Sequence, residues 1–284
     1  MLSPSRKAEL FLLLLTFIWG TTFPLVKTAL FFSSPFVFLT FRFGLATLAI
    51  WLIFSKKISF KDKGVLKAGA IVGIFLFFGF AFQTMGLKYT AASKSAFITG
   101  LFVVMIPPLS FLILKEKIRI FSLIGVILAV SGLYLLTRPK GSEFNLGDLF
   151  TFFCAVSFSF HVIFVQIYTK RFDFLTLTFI QILITTVLTL PFMSVFEEIK
   201  LVYHPQLILA ILVCAILATA LALWIQNRMQ KDTTTVKAAL IYAMEPVFAA
   251  IFSFLLLGEV LGWLGILGGG LILSGMLCSE LGRR

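Results

Sequence analysis

Residues 231–259 read KDTTTVKAALIYAMEPVFAAIFSFLLLGE, and residues 88–116 read KYTAASKSAFITGLFVVMIPPLSFLILKE. The second stretch lies 143 positions before the first, and lysine, threonine, phenylalanine, leucine and glutamate recur at matched places in both. The same shift places Gln83 on Gln226. Because 143 residues are half of the 284-residue chain, we interpret the sequence as an internal duplication in which each copy centres on this stretch.

The composition indicates a chain embedded in a lipid bilayer. Hydrophobic residues make up 60% of the chain and charged residues 13%, and the mean hydropathy is +1.07, which is far from the values of soluble domains. Uninterrupted apolar runs long enough to cross a bilayer recur along the chain. Cys154, Cys214 and Cys278 lie inside such runs and are odd in number, so we interpret them as small core residues rather than disulfide partners.

Ten apolar spans are predicted, five in each copy. They lie at residues 9–30, 36–54, 68–87, 91–114, 121–136, 148–168, 174–192, 206–229, 231–259 and 261–278. A polar loop at residues 137–147 joins the copies, which places the first repeat at residues 1–138 and the second at residues 139–284. The first span exceeds a signal-peptide core in length and no small-residue cleavage site follows it, so we expect it to be retained.

Glycine and proline interrupt several of these spans. Residues 19–24, WGTTFP, are expected to bend the first span in its middle. Pro107 and Pro108 are expected to break the fourth span. The three glycines at residues 268–270 lie inside the tenth span, where they indicate close helix packing.

The charges predict the orientation in the membrane. The net charge of +12 could suggest nucleic-acid binding, but the placement of the basic residues favours a membrane topology instead. If the N-terminus is cytoplasmic, the inner segments hold 17 of the 24 lysines and arginines and the outer segments hold 6, while Arg42 lies within a span. Under the positive-inside rule, both termini are therefore expected in the cytoplasm.

The odd number of spans in each copy predicts an inverted repeat, because the two copies then begin on opposite sides of the membrane. Inverted repeats with spans broken by glycine or proline are typical of secondary transporters, whose substrate sites lie near the midplane between the repeats. The alternative is a membrane duplicate with a purely structural role.

Short stretches of the sequence resemble a known family. Residues 19–23 (WGTTF), 245–249 (EPVFA) and 257–259 (LGE) are similar to the EamA family of the drug/metabolite transporter superfamily, in order and over both halves. This resemblance implies a basket of ten helices around a central cavity that moves metabolites, often amino acids, commonly outward. The first copy departs from the pattern, since Pro107 lies four residues after the position opposite Pro246. Matched kinks in spans four and nine are therefore not expected.

Polar side chains on one helix face are the first candidates for contact with a substrate. Tyr242 and Glu245 share a face of span nine, and the repeat places Thr99 and Phe102 opposite them on span four. Because polar groups facing lipid are costly, this stripe is expected to line the cavity or a helix contact. The full set of predicted substrate-binding residues is Trp19, Phe23, Gln83, Ser95, Thr99, Phe102, His161, Trp224, Gln226, Tyr242 and Glu245.

Several of these residues allow two interpretations. Glu245 is either a structural acid beside Pro246 or a group that titrates or binds a substrate ammonium. His161 is a core histidine or a proton-linked switch. Arg42 is interpreted as structural, capping helix carbonyls or pairing with an acid. Gln83 and Gln226 occupy matched positions, so both are expected to face the pseudosymmetric centre, where a neutral amide can recognise a zwitterion or another polar metabolite.

The sequence favours a transporter over an enzyme. It contains no metal-ligand cluster, nucleophile–base set or phosphate-binding glycine loop, so no cofactor or metal is expected. The leading hypothesis is a multi-pass protein of the cell membrane that moves small organic metabolites by alternating access. Amino acids or related compounds are the expected substrates, and export is the expected direction. Protons are a candidate coupling ion, and the lipid bilayer is the other expected partner. The alternatives are an exporter of multiple drugs or cationic compounds, and a channel-like or non-transporting membrane protein.

Overall fold

The protein is described by a computed structural model over residues 3–90, 92–137, 144–195, 197–257 and 262–281. Most residues in these ranges are helical. The one β-bridge among the described residues is antiparallel and joins Ser33 to Leu201. The predicted repeat boundary at residues 138 and 139, and Gly258 and Glu259 of the LGE stretch, lie outside the described residues.

The described part of the chain forms α-helices connected by short turns. The helices are α1 (Pro4–Gly20), α2 (Thr22–Ala29), α3 (Pro35–Phe54), α4 (Lys63–Tyr89), α5 (Ala92–Gly100), α6 (Phe102–Leu109), α7 (Ile120–Thr137), α8 (Leu146–Tyr168), α9 (Phe174–Val195), α10 (Pro205–Leu212), α11 (Ala222–Met229), α12 (Thr235–Tyr242), α13 (Glu245–Leu257) and α14 (Trp263–Leu281). Two π-helical segments, Ser110–Leu114 after α6 and Val213–Leu221 between α10 and α11, continue the helical path.

Eight helical stretches are long and apolar enough to cross a bilayer. They are Pro4–Ala29, Pro35–Lys57, Lys63–Tyr89, Ser95–Leu114, Leu146–Tyr168, Phe174–Val195, Pro205–Asp232 and Thr235–Phe252. Two further apolar helices, Ile120–Leu136 and Trp263–Ser279, are shorter. The prediction of an all-helical multi-pass membrane protein is confirmed, with eight spans of full length among the described residues.

The first span bends where its sequence predicts. α1 ends at Gly20 and α2 begins at Thr22, and between them the Thr21 amide donates to the Ile18 carbonyl at 3.2 Å. Gly20 is required here by packing, because a Cβ at this position would lie 2.6 Å from the Cβ of Phe248 on α13. The break therefore coincides with a close crossing of the first and ninth spans.

The fourth span breaks at a different place from the one predicted. Pro107 and Pro108 lie inside α6, and the break falls at Leu101, before them. The ninth span breaks at Met244, which is the residue matched to Leu101 by the shift of 143. Both breaks have the same hydrogen bonds. The Leu101 amide donates to the Ile98 carbonyl, and the Leu101 carbonyl accepts from the Val104 amide. The Met244 amide likewise donates to the Ile241 carbonyl, and the Met244 carbonyl accepts from the Val247 amide. The kinks therefore match, and the expectation that they would not is wrong.

The prolines are accommodated without a break. A proline removes an amide donor and crowds the preceding turn, and here the helix widens into the π-helical segment Ser110–Leu114 directly after them. Such π segments are a common way for a helix to absorb a local mismatch.

The two halves of the chain pack against each other throughout the bundle. α7 packs on α14, α4 packs on α8 and α9, α3 packs on α9, and α1 packs on α11, α12 and α13. The buried apolar side chains form two main clusters, one around α3, α4 and α9 and the other around α1, α8 and α12. Trp19 and Trp224 pack against both clusters. The space between the clusters holds the candidate site.

Candidate functional site

A cavity lies between the two apolar clusters and takes its walls from both halves of the chain. Its walls are mainly apolar and aromatic, with a few polar groups among them. The lining residues are Trp19, Thr22, Arg42, Leu76, Phe80, Gln83, Thr99, Phe102, Phe158, His161, Val162, Leu223, Gln226, Tyr242 and Glu245.

Arg42 supplies the positive charge of the cavity. Its guanidinium Nε donates to the Thr219 hydroxyl at 2.8 Å, and one terminal nitrogen lies 3.5 Å from the Ala218 carbonyl oxygen. The Phe80 ring lies under the guanidinium, 4.3 Å from its centroid to the guanidinium carbon. These contacts occupy one edge and one face of the planar guanidinium group. The other edge remains for a bidentate anion such as a carboxylate.

Glu245 supplies the acidic side chain of the cavity. It is the first residue of α13, so the break at Met244 places its carboxylate at a helix N-terminus, where the helix dipole favours an anion. Glu245 and Arg42 interact electrostatically within the same cavity. Among the described residues, none donates a hydrogen bond to the Glu245 carboxylate within the usual distance. Its oxygens are therefore available to a ligand that carries hydrogen-bond donors.

A glutamine network supports another part of the cavity wall. The Gln230 Oε1 atom accepts from the Tyr242 hydroxyl at 3.0 Å and from Gln226 Nε2 at 3.2 Å. Gln230 Nε2 donates to the Val162 carbonyl at 2.7 Å, which fixes the orientation of its amide. The Gln226 Oε1 atom is buried and has no hydrogen-bond partner in the described part of the chain. A buried orphan acceptor on a cavity wall fits a ligand or water that donates to it.

The polar side chains of α8 and α5 complete the lining. His161 Nε2 lies 3.0 Å from Gln181 Oε1, and the imidazole is almost fully buried. The Thr99 hydroxyl lies 3.8 Å from the Cys154 sulfur. His161 thus has a side-chain partner, as expected of a core histidine, and also faces the cavity. Groups of three His, Cys, Asp or Glu side chains able to hold a metal are absent from the described ranges.

The structure brings most of the predicted site residues together around this cavity. The residues that line it are Trp19, Gln83, Thr99, Phe102, His161, Gln226, Tyr242 and Glu245. Phe23, Ser95 and Trp224 do not. Phe23 is buried in the cluster around α3, the Ser95 hydroxyl pairs with that of Thr151 at 3.3 Å, and the Trp224 ring packs edge-on against Phe174.

Sequence reasoning missed part of the wall. Thr22, Leu76, Phe80 and Phe158 line the cavity, and no pattern in the sequence separates them from the many other apolar or hydroxyl residues of the spans. Arg42 was recognisable, because an arginine inside an apolar span is costly and faces a cavity or a partner. Its interpretation as a structural residue describes only its bonds to Thr219 and Ala218, since it also contributes to the wall.

Comparisons with known proteins agree with this architecture. The profile of the EamA-like transporter family matches residues 6–138 and again residues 145–280. An uncharacterized transporter of Archaeoglobus fulgidus is 38% identical over 96% of this chain and 86% of its own length. The uncharacterized transporter YcxC of Bacillus subtilis is 25% identical over 95% of this chain and 91% of its own. A protein of known crystal structure superimposes with a TM-score of 0.82 at 18% identity, over 98% of both chains.

Proposed function

The chain belongs to the EamA-like transporter family, and on this premise we propose that it exports small zwitterionic metabolites, amino acids or close relatives, by alternating access. Its place in this family makes it a multi-pass membrane transporter rather than an enzyme. The proposal adds the substrate class, the direction and the mechanism.

One observation carries the substrate class: Arg42 and Glu245 line the same small cavity. A zwitterion has an ammonium and a carboxylate, which are the complements of these two side chains. An ammonium can donate to the free Glu245 oxygens and the Gln226 amide oxygen, while a carboxylate can accept from Arg42. The apolar walls, including Phe102 and Phe158, suit an uncharged side chain.

The aromatic walls of the cavity also fit a second candidate class of substrate. An exporter of cationic drugs would use Glu245 together with aromatic faces such as Trp19 and Tyr242, whose centroids are 5.6 Å apart. Arg42 in the same wall opposes a ligand with a net positive charge, because two like charges would share a space of low dielectric. A neutral zwitterion avoids this repulsion.

The packing supports the ten-span inverted repeat that alternating access requires. The shift of 143 residues matches α4 to the stretch that ends in α11, and it matches α1 to α8. α4 packs on α8, and α11 packs on α1, as the repeat requires. The matched breaks at Leu101 and Met244 follow the same shift. We propose that the shorter helices α7 and α14 complete ten crossings, with both termini in the cytoplasm.

Transport by the purified protein in proteoliposomes tests the substrate class. We expect uptake of a radiolabelled amino acid to be inhibited by unlabelled zwitterions. We expect no inhibition by the methyl ester, which lacks the carboxylate, or by the N-acetyl form, which lacks the ammonium. Stronger inhibition by the ester would instead support the cationic-drug alternative. Measurements with and without a pH gradient address proton coupling.

Two substitutions and one control connect this transport to the cavity. Glu245→Gln and Arg42→Gln each remove one charge, and we expect each to reduce transport at least tenfold, since a charge-assisted hydrogen bond contributes about 1.5–3 kcal/mol. Ser95→Ala is the matched control, because Ser95 lies on the same span as Thr99 but outside the cavity. Equal transport by all three variants would place the site elsewhere.

A further inference from the structure

Two threonines matched by the repeat occupy equivalent places in the two halves. Thr90 follows the end of α4, and Thr233 follows the short turn after α11. Both are buried and both have an extended backbone, with φ and ψ of −122° and 166° at Thr90 and −131° and 175° at Thr233. Each therefore stands at the start of a broken span, at the junction that leads into α5 or α12.

Each threonine hydroxyl bonds to a carboxylate on the first helix of the opposite half. The Thr90 hydroxyl donates to Asp148 Oδ1 at 2.8 Å, in the first turn of α8. The Thr233 hydroxyl donates to Glu9 Oε1 at 3.2 Å, in the second turn of α1. Hydrogen bonds to a charged acceptor are stronger than those between neutral groups. The two halves are thus joined by the same chemistry at two places.

Each threonine carbonyl accepts from the far end of the same two spans. Lys27 Nζ, near the end of α2, donates to the Thr90 carbonyl at 3.3 Å. Gln166 Nε2, near the end of α8, donates to the Thr233 carbonyl at 3.0 Å. We call the contacts of Thr90 with Asp148 and Lys27 the Thr90 latch. The contacts of Thr233 with Glu9 and Gln166 form the Thr233 latch.

The two latches lie at opposite ends of the cavity. Glu9 and Lys27 are 18 residues apart on the first span, which corresponds to about 27 Å along a helix and nearly the thickness of a bilayer core. Trp19 and Thr22, between them on that span, line the cavity. The two latches therefore lie on opposite sides of the cavity along the first span.

We propose that Thr90 and Thr233 are the paired gating residues of this transporter, and that one latch breaks in each of its open states while the other holds. The proposal rests on the transport function proposed above. In the present structure both latches are made.

The surroundings of the latches predict which of them opens more readily. At the Thr90 latch, α4 and α8 touch through glycines: a Cβ at Gly147 would lie 2.7 Å from the Thr90 amide nitrogen and 2.9 Å from the Gly86 carbonyl oxygen. The residue matched to Gly86 near the Thr233 latch is Met229. Thr233 also borders a wide surface recess. We expect the Thr233 latch to open at a lower cost.

Access of a thiol reagent to the cavity tests the proposal without any substrate. The reporter is Leu76→Cys, at the cavity wall, in a chain whose three native cysteines are replaced by serine. The probe is a membrane-impermeant maleimide, applied to right-side-out and to inverted vesicles. Thr90→Val and Thr233→Val delete one hydroxyl each and keep the shape of the side chain.

We expect the two variants to expose the reporter on opposite faces. Thr90→Val should raise the rate of labelling about tenfold from one face, and Thr233→Val should do so from the other. The matched controls are Thr28→Val and Thr169→Val, whose hydroxyls, among the described residues, bond only to the carbonyls of Pro24 and Val165, four positions earlier in their own spans. They should leave both rates unchanged.

Three results would overturn the proposal: labelling of both variants from the same face, unchanged labelling of both, or equal labelling of the controls. If a valine variant does not fold, Asp148→Asn and Glu9→Gln repeat the test from the acceptor side, because a neutral amide oxygen accepts a weaker hydrogen bond than a carboxylate. Because labelling requires no substrate, a protein that fails to carry zwitterions can still show opposite exposure. A failure of the latches is therefore distinguishable from a failure of the proposed substrate class.

Discussion

A glycine contact between α7 and α14 allows a quantitative test of the packing. A Cβ at Gly268 would lie 2.5 Å from the Leu136 amide nitrogen and 2.6 Å from the Gly132 carbonyl oxygen. Gly125 and Gly275 meet in the same way, with a Cβ at Gly125 lying 2.6 Å from the Gly275 carbonyl oxygen. The repeat exchanges these two contacts, because Gly125 matches Gly268 and Gly132 matches Gly275. The three atoms nearest a Cβ at Gly268 all belong to the backbone, so no side chain can turn away.

Gly268→Ala should therefore destabilise the protein. The new methyl group forces the two helices apart by roughly 1 Å, and overpacking of this kind typically costs about 1–3 kcal/mol. For a chain of this size, such a loss lowers the midpoint of thermal unfolding by roughly 2–12 °C. Cys154 and Cys214 are fully buried, so a dye that becomes fluorescent on reaction with thiols reports unfolding of the purified protein in detergent.

Gly270→Ala is the matched control on the same helix. A Cβ at Gly270 has no neighbour within 4 Å, and alanine is a better helix former than glycine by about 1 kcal/mol. We expect this variant to melt at or slightly above the temperature of the parent. If Gly268→Ala melts as high as Gly270→Ala, the close approach of α7 and α14 is wrong.

Three further predictions concern the cavity, the loop after α9 and the topology. Tyr242→Phe removes the hydroxyl bonded to Gln230 and should change substrate preference in reconstituted transport more than protein yield. Burial raises the pKa of the Glu197 carboxyl in the folded protein above its ordinary 4.5. The folded state therefore binds this proton more tightly than the unfolded chain does, and the melting temperature should fall as the pH rises from 4.5 through the pKa of the folded state. Glu197→Gln should abolish this dependence. Reporter fusions at Lys63 and Glu198 should be cytoplasmic and external, respectively.

The repeat in the sequence predicts more of this fold than the individual motifs do. The prolines predict a break of the fourth span at Pro107, but the helix breaks at Leu101, which the repeat matches to Met244. A proline acts on its own turn, and a π-helical segment absorbs that local effect. The break itself recurs at the same place in both copies, one of which has no proline at the position of Pro107. The tertiary packing shared by the copies therefore determines where these spans bend.

Helical periodicity predicts the cavity wall where a helix is continuous and fails where it is not. Trp224 and Gln226 are two residues apart, so their side chains point about 200° apart and only one of them can face the cavity. Trp19 and Phe23 are four apart and would share a face on a straight helix. The break at Thr21 turns Phe23 into the apolar cluster, and Thr22 lines the cavity instead.

The cavity combines a symmetric frame with asymmetric chemistry. Matched positions line it on both sides, but the first copy contributes Thr99 and Phe102 where the second contributes Tyr242 and Glu245. Arg42 also has no charged counterpart, since its matched residue is a threonine that bonds within the bundle. A symmetric wall would hold a ligand equally well in two opposite orientations. For the zwitterion that we propose as the substrate, a wall with one basic and one acidic side chain favours a single orientation, because the two ends of the ligand are unlike.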